Sequence, residues 1–299
     1  MKDAPINYFE IVDRDELRTL SARSNAKGLA HLAGHLALIF ATGWIVYLTR
    51  GSLLIWPAMM VHGIDIVFLF TTLHECVHRT PFKSRWLNDA VAWGCGLALN
   101  VLPDWFSAFH FAHHRNTHIE GEDPELKGKK VDTWPSYLLY LSGWPHWVYQ
   151  LKVLCINAVG KNNDAFIPPK LKARIQREAQ VFIVTYILIA LASLLTGSAA
   201  ALIYWVVPSL LAQPFLRAYL LAEHTGCEKV RDMFENTRTT FTWAPVRFIA
   251  WNMPFHTEHH AWPGVPFHAL PKLHGQIKTR LVNTADGYTA FHRKYVKTL

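Results

Sequence analysis

His74-Glu75-Cys76-Val77-His78 closes a long apolar stretch and opens the histidine-rich part of the chain. Two later clusters answer it: His110-Phe111-Ala112-His113-His114 and His256-Thr257-Glu258-His259-His260. On a helix, residues four apart stack on one face and residues three apart lie close by. HxxxH therefore aims two imidazoles one way, and each HxxHH aims three. A lone histidine on an apolar face is more often packing than ligation. Eight in helical register, from three places in one chain, point to metal. Imidazole suits iron, copper and zinc alike, so ligand type does not choose among them.

Working outward, the apolar stretch before His74 is one of several. Residues 29–49 and 52–73 carry long apolar runs separated only by Arg50-Gly51, and 180–196 and 199–221 are separated only by Gly197-Ser198. At 1.5 Å per residue, about 20 residues span the bilayer core. The expected fold is an all-α integral membrane protein of four transmembrane helices in two hairpins. A cytosolic helical cap, residues 74–179 and 222–299, would hold a two-metal site within a single domain, 1–299. Residues 86–103 are too short and glycine-bearing for a crossing and fit an interfacial or re-entrant helix. Residues 134–157, rich in Trp and Tyr, fit the headgroup level. His31 and His35 read as packed or interfacial histidines. The prolines at 263, 266 and 271 predict irregular structure around His268 and His274.

Composition agrees with a membrane protein. Of 299 residues, 51% are hydrophobic and 17% charged, against about 25% charged in a soluble domain. The net charge of +8 does not mark a nucleic-acid binder, because its distribution tracks topology. Five Lys and Arg precede residue 29, thirteen lie between 79 and 178, and ten follow 222, while the two short hairpin turns hold only Arg50. Positive residues mark the cytoplasmic side, so both termini and all three clusters are expected there. Four cysteines fall singly and suggest no disulfide framework. His62 and Asp65 interrupt the second span. An ionisable residue there is costly and by default functional, so Asp65 is a candidate for the substrate channel. The alternative is that Asp65 and His62, three apart, satisfy each other.

His74–His78 also satisfies HExxH, the zinc metalloprotease pattern with Glu75 as general base. A zinc protease needs one further protein ligand and leaves two HxxHH clusters unexplained. Two metals need about eight or nine imidazoles, and the chain supplies them.

From about residue 29 to 275 the sequence resembles the membrane fatty-acid desaturase and hydroxylase superfamily, with HxxxH, HxxHH and HxxHH between hairpin pairs of helices. The proline-punctuated run after the third box, His259-His260-Ala261-Trp262-Pro263-Gly264-Val265-Pro266 and on to His274, is similar to runs in that superfamily. The resemblance implies two irons held by histidines alone, with O2 as co-substrate and zinc as a substitute in overexpressed protein. It also implies a ninth ligand on the helix leaving the last membrane pair, which falls on His224. The implied activity is oxidation of an unactivated C–H bond in a lipid or fatty-acyl chain, desaturation ahead of hydroxylation. Alternatives are a hydroxylase or ketolase acting on an alkane, carotenoid or other lipid, a membrane zinc protease, and a metal-loaded receptor without turnover. The chain has no CxxC pair, haem motif or GxGxxG, so electrons are expected from a ferredoxin, rubredoxin or cytochrome b5 type donor. Metal-bound imidazoles usually donate their other N–H to a carboxylate or carbonyl. Glu75, Asp104, Glu223, Asn252 and Glu258 lie near the boxes and are candidates. His118, four residues past His114, is a further ligand or a supporting group.

Overall fold

A computed structural model describes residues 8–128 and 130–299; the first seven residues of the polar lead-in lie outside them. After a short α1 (Arg14–Leu20), capped by the Asp13 carboxylate, comes α2 (Asn25–Leu48). The Ser24 hydroxyl accepts from Lys27 N–H at its start. The second apolar run forms α3 (Ile55–Val67) and α4 (Leu69–His78), which together make one 24-residue span. The step at Phe68 has a local cause. The Phe68 carbonyl accepts from Thr71 N–H, a three-residue closure in place of the four-residue ladder, and Thr71 Oγ1 lies 2.8 Å from the same carbonyl and 3.1 Å from that of Ile249.

The chain continues through α5 (Arg85–Leu99), α6 (Pro103–Asn116), α7 (Trp134–Leu141) and α8 (Trp144–Ala158). It returns in α9 (Pro169–Thr196), which ends on Gly197 at φ +62° with Ser198 N–H bonding to the Ser193 carbonyl. A left-handed residue at this position is what lets a helix stop abruptly and reverse. Among the described residues, three helical spans are long and apolar enough to cross a membrane: Asn25–Leu48, Ile55–His78 and Pro169–Thr196. Only 11% of the apolar window is buried in the first and last, against 61% in the middle one. Ile55–His78 is therefore the inner span, and α2 and α9 expose leucines such as Leu48, Leu194 and Leu195 outward.

The expected fourth span, 199–221, differs from a plain apolar helix. A π-helical turn, Leu202–Val206, leads into α10 (Val207–His224), which carries Pro214 inside it and buries Gln213 and Arg217. It packs chiefly on α3. Gly63 makes this possible: a Cβ there would sit 1.9 Å from the Pro208 carbonyl oxygen.

The remaining chain forms α11 (Met233–Asn236), α12 (Ala244–Ile249), α13 (His256–Ala261), α14 (Leu270–Ile277) and α15 (Tyr288–Tyr295). Two-residue strands β1 (Thr239–Thr240) and β2 (Thr284–Ala285) pair in parallel. His274 lies on α14, not on irregular structure. Pro271 occupies the first turn of that helix, where its missing N–H costs nothing. His31 and His35 are packing groups as expected: His31 Nε2 meets the Phe248 carbonyl, His35 Nε2 the Asp65 carbonyl, and His35 Nδ1 accepts from Trp251 Nε1. They tie α2 to the segment that precedes the third histidine box.

Candidate metal centre

Four elements bring the box histidines together. α4 carries His74 and His78, and α6 carries His110, His113 and His114. α10 ends on His224, and α13 carries His256, His259 and His260. Of these nine, all but His78, His114 and His224 are almost completely buried. One group gathers nitrogen atoms of His74, His78, His110, His114 and His259 within 4.8 Å of one another; a second gathers His113, His224 and His260. His256 joins the second, its Nε2 lying 3.2 Å from His224 Nε2 and its ring centroid 4.5 Å from that of His260. The rings of His114 and His260 stack at 4.1 Å and form the wall between the groups.

The donor set fits metal ions better than a hydrogen-bond network. His110 Nε2 faces both His78 Nε2 at 2.8 Å and His114 Nε2 at 3.0 Å. A single ring nitrogen has one proton or one lone pair, so it cannot complete both contacts. Two imidazoles bound to one first-row metal at about 2.1 Å, with bonds near perpendicular, place their nitrogens about 3 Å apart. Both ring nitrogens of His74 and of His259, together with His260 Nε2, are buried without a hydrogen-bond partner among the described residues. Burial pushes His110, His114, His256, His259 and His260 well below the ordinary imidazole range, and neighbouring rings add to this. They are neutral at pH 7, the state a metal requires.

The outer nitrogens show how the rings are aimed. His113 Nδ1 donates to the Asp123 carboxylate, with both oxygens at 3.0 Å, and lies 3.0 Å from Glu125 Oε2. Burial alone would lower the His113 pKa, but these carboxylates outweigh it and raise it. His260 Nδ1 meets Thr117 Oγ1 at 3.2 Å, and His224 Nδ1 meets the Asn236 carbonyl at 3.1 Å. Glu223 Oε1 stands 3.5 Å from His256 Nδ1, and Glu75 Oε1 3.9 Å from His259 Nδ1. The other Glu75 oxygen accepts from Thr80 Oγ1 and Phe267 N–H, which locks the carboxylate in place.

A narrow cavity of about 60 Å³ runs against the histidines, walled by Phe70, Phe109, Leu220 and Met253 as well as His74, His110, His113 and His256.

Residues 50–292 match the family described as fatty acid desaturase. The chain belongs to the fatty acid desaturase family. Among curated proteins, this family member is 26% identical over 252 residues to a Drosophila melanogaster protein named sphingolipid delta(4)-desaturase DES1, covering 81% of this chain and 71% of the relative. It is 23% identical over 234 residues to an Oryza sativa subsp. japonica protein named sphingolipid delta(4)-desaturase DES1-like, covering 75% of this chain and 63% of the relative.

In this desaturase-family chain, four of the expected supporting groups fall elsewhere. Asp104 pairs with Arg174 at 2.6 Å, in the first turn of α6 and away from the rings. His118 does not continue the α6 face, because the helix ends at Asn116 and His118 turns left-handed at φ +64°. Its Nδ1 meets the Glu228 carbonyl. Asn252, four residues before His256, does not share its helical face. Trp251 and Asn252 are both left-handed, at φ +49° and +57°, and the Asn252 amide donates to the Phe267 carbonyl. Glu258 points to the far side of α13, accepting from Thr239 Oγ1 and His274 Nδ1 at 2.5 Å each. Asp65 does not line the cavity beside the histidines. Its carboxylate pairs with Thr42 Oγ1 at 3.0 Å, and Thr42 also meets His62 Nδ1, so Thr42 mediates between the two residues expected to satisfy each other.

Asp123 is the group that sequence reasoning missed. It lies in an acidic run, Glu120 to Glu125, in which any of four carboxylates had equal claim. Replacing it by asparagine is expected to lower metal affinity about 10–100-fold, read as metal retained through a chelator titration.

Acid should release the metal. The five depressed histidines have unfolded values near 6.5 and lower folded values. The unfolded chain thus takes up protons first as pH falls below about 6.5. Stability and metal retention drop there and lose nothing from these groups above it. His113, raised in the fold, works in the opposite sense: its contribution is full below about 6.5 and fades as pH rises, a single group against the depressed majority. Metal content after dialysis between about pH 7.5 and about pH 5 checks the direction.

Proposed function

We propose that this chain is a membrane di-iron oxidoreductase that uses O2 to introduce a double bond into a long-chain lipid. The observation that carries this reading is the division of nine clustered imidazoles into a group of five and a group of four, beside a cavity walled in part by apolar side chains. Family membership and the names of the two relatives support a lipid acyl or long-chain base as substrate. The nine histidines are assigned as ligands, with Asp123, Glu223 and Glu75 holding ring orientation. Zinc would occupy the same donor set in overexpressed protein.

The iron pair supplies O2 activation and C–H oxidation, which no side chain provides. Desaturation removes two hydrogens from adjacent carbons, and O2 is reduced to two waters. Two electrons come from the substrate and two from an external donor of the ferredoxin, rubredoxin or cytochrome b5 class. The chain's own contribution is to keep the imidazoles neutral and aimed, to exclude water, and to confine the alkyl chain against Phe70, Phe109 and Met253. A membrane position lets that chain enter from the bilayer, with the boxes and both termini on the cytoplasmic side. An HExxH protease is disfavoured because Glu75 is held by Thr80 and Phe267 N–H and faces a histidine of the third box.

Lipid analysis of a host expressing the chain tests this. A new double bond that is absent with His114→Ala is the expected result. A hydroxylated product would transfer the chain to the alternative chemistry.

A further inference from the structure

Beside the histidine cavity lies a set of buried polar groups that the proposed chemistry does not use. On α10, Gln213 and Arg217 stand four apart and share a face. On α8, Trp147 and Gln150 follow Gly143 by four and seven residues, again one face. The two faces meet. Gly143, at φ +71°, rests so closely on Gln213 that a Cβ there would fall 2.5 Å from Gln213 Cβ. At this junction Arg217 Nε, Gln213 Oε1, Gln150 Oε1 and Trp147 Nε1 are shut off from solvent with no hydrogen-bond partner among the described residues. Arg217, Gln213 and Gln150 are each more than nine-tenths buried.

A guanidinium stays charged at any pH the protein meets, and burying it without an acceptor is costly. Glu125 and Glu223, which line the cavity, act on Arg217 through space, yet neither forms an ion pair with it. Arg217 stands one helical turn before Leu220, which walls the cavity, and its Nε has no acceptor among the described residues. Arg217 and Trp147 offer N–H donors, and the two glutamines offer carbonyl acceptors. Arg217 precedes His224 by seven residues, about 10 Å along the helix. A ligand held here by its polar end can run its alkyl chain past the histidines.

We propose that the α8–α10 junction binds the oxygen-bearing polar end of the lipid, a carboxylate or amide carbonyl that accepts from Arg217 and Trp147. This rests on the lipid-substrate reading above. Ordered water could satisfy the same atoms, but it would confer no preference among lipids.

Equilibrium binding to the metal-loaded full chain in detergent tests the site with three probes of equal chain length: stearic acid, an N-stearoyl amide lipid, and octadecane. The wild type is expected to bind at least one acceptor-bearing probe about tenfold or more tighter than octadecane. Stearic acid alone would identify a carboxylate; the amide lipid would identify a neutral carbonyl. Arg217→Gln should erase that preference while leaving octadecane binding and metal per chain unchanged. Equal binding of all three probes, or loss of octadecane binding and metal in step with the others, overturns the proposal. Should Arg217→Gln fail to fold, Trp147→Phe removes only one N–H and should cost about threefold of the preference; an unchanged preference would overturn the site. Binding is read without turnover. A discriminating but inactive protein would therefore refute the reaction and keep the site, and an active, non-discriminating one would do the reverse.

Discussion

His224→Ala is expected to lower turnover by more than about 100-fold and to empty the second metal position while the first stays loaded. His224 comes from α10, outside the three boxes, and its Nε2 lies 3.2 Å from that of His256. Its other nitrogen is spoken for by the Asn236 carbonyl, so one nitrogen alone is aimed at the group of four. Removing it leaves His113, His256 and His260 as the remaining imidazoles of that group. The five-imidazole group does not use His224 and should keep its ion. Metal per chain, measured beside activity, separates this from general unfolding. Full metal loading with full turnover in the variant would remove His224 from the ligand set.

Gly63→Ala should have the largest effect on folding. The added Cβ would meet the Pro208 carbonyl oxygen at 1.9 Å and Ala212 Cβ at 2.9 Å. The first obstacle is backbone, which cannot rotate away, so α3 and α10 must separate. Overpacking in a core costs about 1–3 kcal/mol, and a clash with backbone lies at the upper end or beyond. The consequence reaches the site. α3 continues into α4 with His74 and His78, and α10 ends on His224, so separating them pulls the two ligand groups apart. Lower thermal stability and reduced metal content are expected together. Unchanged stability would show that the α3–α10 contact is looser than described.

The histidine boxes were legible because each sits on a real helical turn, where spacing in sequence is spacing on a face. His74 and His78 on α4, and His110 and His114 on α6, lie within one group as their four-residue spacing requires. His113, between the latter two, crosses to the other group, a division that spacing does not reveal. Extrapolation failed where helices end. His118 lies beyond the last residue of α6, and Asn252 lies in a left-handed pair before α13, so neither keeps helical phase. Asp123 was hidden because a loop folds back on the helix it leaves, and no periodicity reports such closure. The second span was plain from its apolar run. The sequence did not show that α10 would be an inner helix with a π turn and a buried arginine, since its mixed composition reflects contact with protein in place of lipid.

The central claim is that nine imidazoles hold two irons, five at one and four at the other. Metal content per chain of anaerobically purified protein, compared with His259→Ala and His224→Ala, tests it most directly. Two irons in the native chain, with each variant losing its own one, is the predicted result. A single metal per chain that survives His224→Ala would contradict it.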